Sequence, residues 1–153
     1  MNICRKKWGR TFVYFFGLHD HKKTETSESV SKFIDRLKYQ IKKRYQLNEM
    51  GFVWVREHEK AKSQHYHLMI ILDGDKIQNS KALAKIIKTT WEIDEGKTIS
   101  YVKNSFYFVD NQTKHLDAVN RFSYLAKARG KGYRPPQAKD FNTSRLKAPE
   151  TQG

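Results

Sequence analysis

The chain is poor in the residues that staple, kink or anchor a protein. Its 153 residues hold one cysteine, Cys4, so no internal disulfide can form. The opening "MNICRKKWGR" has basic residues but no apolar stretch and small-residue cleavage site behind them. Together these absences predict a reduced, intracellular protein. Long apolar runs are also missing. The two most continuous ones, Phe12 to Phe16 and Leu68 to Leu72, fall far short of the roughly 20 residues that cross a bilayer. Neither a membrane span nor a membrane partner is expected. Acids are scarce, 16 against 30 Lys plus Arg, which leaves a formal charge of +14 spread along the chain. A polyanion is the partner such a balance implies. The three prolines all lie beyond Gly130. What precedes them is long enough for one domain with its own core.

The apolar pattern gives the element order. Thr11 to Leu18 is aromatic and β-branched and reads as a buried strand, followed by the polar loop "HDHKKTETSES". From Ser29 to Tyr45, Val30, Phe33, Leu37 and Ile41 recur at helical spacing. Glu28 stands at the start and Lys42, Lys43 and Arg44 at the end, as the helix dipole prefers. Gly51 to Glu59 and His65 to Leu72 are strand-like, and the short polar link between them makes a hairpin. Asn79 to Trp91 is a second helix, Ile99 to Val109 a fourth strand, and His115 to Arg129 a third helix. The order β-α-β-β-α-β-α predicts an α+β fold of the split-βαβ, ferredoxin-like or RRM-like kind. A central antiparallel sheet carries helices on one face, leaving the other open to a ligand. Residues 1–129 form the domain, and 130–153 a basic, partly ordered tail.

Within the hairpin, "HYHLMIIL" sets two histidines around a tyrosine. Side chains alternate along a strand, so His65 and His67 share one face while Tyr66, Leu68 and Ile70 take the other. Two imidazoles side by side offer two metal-ligand positions. The paired strand brings Glu57 roughly opposite them as a third ligand, with Glu59, nearer the turn, as the alternative. Two imidazoles and a carboxylate leave coordination positions open and suit Mn²⁺ or Mg²⁺ without excluding zinc. Without that acid, a His-x-His pair in a chain of six histidines is as readily a chance surface pair. In the third helix Ala118, Phe122, Leu125 and Ala126 form an apolar stripe. Tyr124 points away from its centre, with Lys127 on its flank. A phenol is a weak nucleophile until a cation or base assists it, and a lysine one turn away supplies a cation. Among eight tyrosines the pair alone says little, since a surface tyrosine has the same spacing.

Taken in order, a strand with His-hydrophobe-His, a carboxylate eight residues upstream and a later helical Tyr-x-x-Lys resembles the HUH endonucleases that start rolling-circle replication. In that resemblance His65 and His67 are the motif histidines, Tyr66 the hydrophobe between them and Glu57 the third ligand. Tyr124 is the nucleophile and Lys127 the motif lysine. The stretch Ser123 to Arg145 looks like the C-terminal part of inovirus-type replication endonucleases, found also in prophages and satellites, with Asn142 standing where those carry glycine. The resemblance implies a Mn²⁺- or Mg²⁺-dependent single-strand DNA nickase and joinase. It would act at a replication origin in the cytoplasm of a bacterial host, through a 5′-phosphotyrosine, alongside a host helicase and polymerase. Exposed rings such as Tyr101, Tyr107 or Trp54 would stack on bases, although core packing is the commoner fate of a residue like Trp54.

Two other readings share the fold. A non-catalytic RNA- or single-strand-binding module would use the open sheet face and need neither Glu57 nor the paired histidines. An HUH transposase or relaxase would keep the chemistry in another setting. Two motifs are set aside. "GKT", Gly96 to Thr98, lacks the earlier glycine and the preceding strand of a phosphate loop. His19 and His21 fall in a polar loop, where solvation is the expectation and contact with DNA the alternative.

Overall fold

The computed structural model describes residue 4 and residues 7–21, 27–57, 64–77, 79–127 and 141–146, with the backbone alone for 124–127. Five strands form one antiparallel sheet: β1 (Thr11–Asp20), β2 (Gly51–Glu57), β3 (Gln64–Asp73), β4 (Lys97–Val109) and β5 (Phe141–Thr143), in the order β4-β1-β3-β2-β5. Among the described residues three helices pack on it: α1 (Glu28–Tyr45), α2 (Ser80–Trp91) and α3 (Gln112–Lys127). The first four strands with α1 and α2 have the ferredoxin-like arrangement, in which β3 lies between β1 and β2.

Local sequence accounts for the helices. Five apolar side chains of α1, Val30, Phe33, Ile34, Leu37 and Ile41, are buried along one stripe. Its last turn carries Lys42, Lys43 and Arg44, and it closes at Gln46, which adopts the left-handed conformation (φ 57°). Asn79 caps α2, its side chain accepting the Ala82 N–H at 3.1 Å.

The sheet is covered on both sides, and here the structure departs from the expectation of one open face. Even-numbered residues of β1 and β3, such as Phe12, Phe16, Leu68 and Ile70, pack against α1 and α2. Odd-numbered ones, Val13, Phe15, Met69 and Ile71, meet Ala118 and Phe122 of α3 and the buried, free Cys4. The reason is visible in the strands. Both "FVYFF" and "LMIIL" are apolar at every position, as strands buried on two faces must be.

Strand β1 also runs two residues further than the apolar pattern suggested, taking in His19 and Asp20. Ser29 donates to the Asp20 carboxylate at 2.9 Å, and the His21 N–H donates to the Gly96 carbonyl at 2.8 Å. Gly96 has φ 79°, a turn conformation that leads straight into β4, so the "GKT" stretch opens a strand and cradles no phosphate. Within the segment expected to be tail, Phe141–Thr143 pairs with Val53–Val55 of β2. Ser144 closes this edge, its N–H donating to the Phe52 carbonyl and its hydroxyl accepting the Phe52 N–H at 3.0 Å. Among the described residues no helix is long and apolar enough to cross a membrane.

Candidate metal centre

The β2–β3 register sets Glu57 directly across from His65, and Val55 across from His67. Because alternate residues share a face, Glu57, His65 and His67 all stand on the side of the sheet that α3 packs against, at the end away from Thr11. Glu57 Oε2 lies 2.6 Å from His65 Nδ1 and 3.3 Å from His67 Nε2. The carboxylate side chain is only 2% exposed. Burying a carboxylate is costly unless charge or hydrogen bonds compensate it, and two imidazoles do so here.

Ligand atoms of these three residues lie within 4.8 Å of one another, so the cluster can hold a metal ion. One carboxylate and two imidazoles are a donor set for a divalent cation, with positions left for other oxygens. Glu59, the alternative third ligand, lies outside the described residues.

Tyr66 behaves as the hydrophobe that the alternation required. It is fully buried on the α1/α2 side, edge-on to Trp54 with ring centroids 5.6 Å apart. Burial pushes its phenol up to about 12, partly opposed by Arg56. It is thus a core residue, held as the neutral phenol.

Tyr124 and Lys127 sit in the last turn of α3, and their side chains lie outside the described set. The helix starts beside Val109 and by Phe122 has reached Phe15, ring centroids 6.3 Å apart. Arg121 of the same turn donates to the Lys103 carbonyl. Its backbone therefore runs over the cluster's face of the sheet toward the end where Gly17 pairs with His67. Lys103 belongs to an excursion of β4 in which Val102 to Ser105 stands opposite Phe15 alone, with Asn104 at φ 54°.

Of the rings considered for base stacking, Trp54 is core and 1% exposed. Tyr107 is partly buried against Phe15 at 5.8 Å. Tyr101 is 57% exposed, but it pairs with Phe16 and so takes the α1/α2 side, away from the cluster.

His19 is the residue that the sequence reading missed. It lies inside β1, opposite His65, and the two rings stack with centroids 3.8 Å apart and planes 27° from parallel. His21 is exposed, its Nε2 3.1 Å from Thr98 Oγ1. The spacing His-x-His directly after an aromatic strand was the one available signal.

A family model described as the YagK/YfjJ C-terminal domain matches residues 8–144. The chain belongs to the YagK/YfjJ C-terminal domain family. That span includes Glu57, His65, His67, His19, Tyr124, Lys127 and all five strands. In this YagK/YfjJ domain the edge strand β5 is therefore part of the family unit and not an appendage to it. The chain is 30% identical to the uncharacterized protein YfjJ of Escherichia coli (strain K12), over 54% of this chain and 49% of that protein. It spans about half the length of this relative. A de novo designed protein, Foldit4, aligns with 67% of this chain and 99% of its own, at 14% identity and a TM-score of 0.37.

Proposed function

We propose that this domain nicks and rejoins single-stranded DNA through a covalent tyrosine linkage, starting rolling-circle replication of a phage, satellite or plasmid. The observation that supports this reading most is the gathering of Glu57, His65 and His67 at one end of the sheet face that α3 also covers. In the resemblance, the nucleophile comes from that helix and the ligands from that hairpin.

The chemistry assigns each residue a role. Glu57, His65 and His67 hold a divalent ion, Mn²⁺ or Mg²⁺, which when bound supplies polarisation of the scissile phosphate. Tyr124 attacks the phosphorus. An Oη–P bond forms as the P–O3′ bond breaks, the phenolic proton is lost and the departing 3′ oxygen gains one. The products are a 5′-phosphotyrosine and a free 3′-OH, and the bond energy kept in the linkage lets the same site rejoin strands without ATP. Lys127 stabilises the charge that builds on the phosphate. The chain's excess of Lys and Arg holds the DNA backbone. Unwinding and synthesis fall to a host helicase and polymerase.

Incubation of the protein with labelled single-stranded DNA and Mn²⁺ tests this directly. The expected product is a protein–DNA adduct that survives denaturation, lost in Tyr124→Phe and formed on the order of 10² to 10³ times more slowly in Lys127→Ala. Nicking that persists in Tyr124→Phe without an adduct indicates a hydrolytic nuclease. Tight binding with no cleavage in any metal indicates a binding module.

A further inference from the structure

We propose that His19 is a positioning residue of the metal centre, its ring fixing the plane in which His65 presents its nitrogens. This rests on the reading of Glu57, His65 and His67 as metal ligands. An imidazole binds an ion well only when the ion lies near the ring plane, so a ligand histidine on a strand needs something to stop its ring from turning. Metal-ligating histidines are commonly oriented by a hydrogen bond to the nitrogen that faces away from the ion. Here the geometry offers a flat surface as well. With centroids 3.8 Å apart, the His19 ring lies in contact with the face of His65, and turning His65 about its ring axis would drive an edge into it. His67 stands on the same face of β3, its ring centroid 5.0 Å from that of His65 and tilted 38° to it.

A surface that orients another group must itself be held, and the backbone of His19 is held from several directions. It pairs with His65 of β3 on one side and Thr98 of β4 on the other. From the opposite face of the sheet the Trp91 indole N–H of α2 reaches both the His19 carbonyl, at 3.2 Å, and the Thr98 carbonyl, at 2.9 Å. Asp20 next along the strand is anchored by Ser29. Beyond it, the ring of His21 lies 6.3 Å from that of His19 at 16° and meets Thr98. The stacked pair thus rides on a fixed strand, although β1 leaves the regular apolar pattern at this point. The mutually close ligand atoms belong to Glu57, His65 and His67, and the contribution proposed for His19 is the face of its ring.

Two substitutions separate these roles in the full-length chain. His19→Phe keeps a flat ring and removes both nitrogens, whereas His19→Leu keeps apolar bulk and removes the flat ring. Mn²⁺ binding is followed by the loss of the free-ion electron paramagnetic resonance signal, and folding by thermal unfolding without metal. The expected result is wild-type affinity in His19→Phe and affinity about ten-fold or more weaker in His19→Leu, with similar metal-free unfolding. His65→Ala, run alongside, should bind no Mn²⁺ at this site. Equal affinity in His19→Leu and wild type overturns the proposal and leaves the metal centre standing. Loss in His19→Phe as deep as in His19→Leu also overturns it, making a His19 nitrogen the active element. Wild-type binding by His65→Ala removes the centre and the proposal together.

Discussion

Gly17 on β1 and Ser100 on β4 stand opposite each other across the antiparallel pair, and the Ser100 hydroxyl fills the space that a β-carbon at position 17 would take. The same β-carbon would lie 3.5 Å from His65 Nε2, an ordinary contact. A glycine inside a strand costs stability through its backbone freedom, so its place here goes with the room it leaves beside the cluster. Gly17→Ala is expected to destabilise the fold by about 1 kcal/mol, because Ser100 must turn away. In a Ser100→Ala background the penalty should vanish or reverse. A double-mutant cycle by urea unfolding reads the coupling, and an equal cost in both backgrounds rejects this account.

Metal should stabilise the folded chain only through the hairpin cluster. At a metal concentration a hundred times its Kd the gain is about 2.7 kcal/mol, visible as a rise in Tm. His65→Ala, His67→Ala and Glu57→Gln should each lose that rise. A Glu57→Gln protein that keeps the full Mn²⁺-induced shift would mean that the carboxylate is not a ligand.

Tyr66 carries a buried hydroxyl that has no hydrogen-bond partner among the described residues. Tyr66→Phe removes that group and keeps the ring packed on Trp54. Stability should stay level or rise by up to about 1 kcal/mol, and Mn²⁺ affinity should not change. A fall of several times that size in urea unfolding would show that the hydroxyl is satisfied.

Asp94 joins two elements, accepting from Lys97 Nζ at 3.0 Å and from Arg36 of α1 at 3.1 Å. The hydrogen bond from Lys97, then that from Arg36, hold its carboxyl below the ordinary 3.8. A carboxyl lowered in the folded state adds stability that is fully present above 3.8 and is lost as the pH falls through the lowered value. Asp94 and Arg36 are close to half exposed and only Lys97 is largely covered, so screening keeps the effect to at most about 1 kcal/mol. Asp94→Asn should therefore be less stable than wild type at neutral pH and equal to it in strong acid. A constant difference across that range would assign the loss to packing.

The order of the first seven elements was legible because each apolar run is long enough to show its period. That Glu57 lies across the hairpin from the histidines was legible too, since a short link allows few registers, while the exact partner, His65, follows from the structure. Three features were not. Phe141–Thr143 is too short to show any period, and it becomes a strand only through the edge that β2 offers. The stripe on α3 says that the helix packs, while the face it takes follows from the doubly apolar strands, of which "FVYFF" is one. His19 looks like loop because its neighbours are polar. What keeps it in the sheet comes from Trp91 and Gly96, more than seventy positions away in the chain.

The antiparallel register of β2 and β3 also decides which changes of length this chain can absorb. Adding one residue between Gly51 and Glu57 would turn Glu57 to the α1/α2 side and put the buried Arg56, or the added residue, beside the histidines, although the hairpin could still close. A change of length between Glu57 and Gln64 leaves the alternation within each strand intact, so the apolar pairs of β2 and β3 can still hold the three side chains on one face. A change of length is therefore better tolerated in the connection than inside either strand, where a single residue would part the three side chains of the cluster.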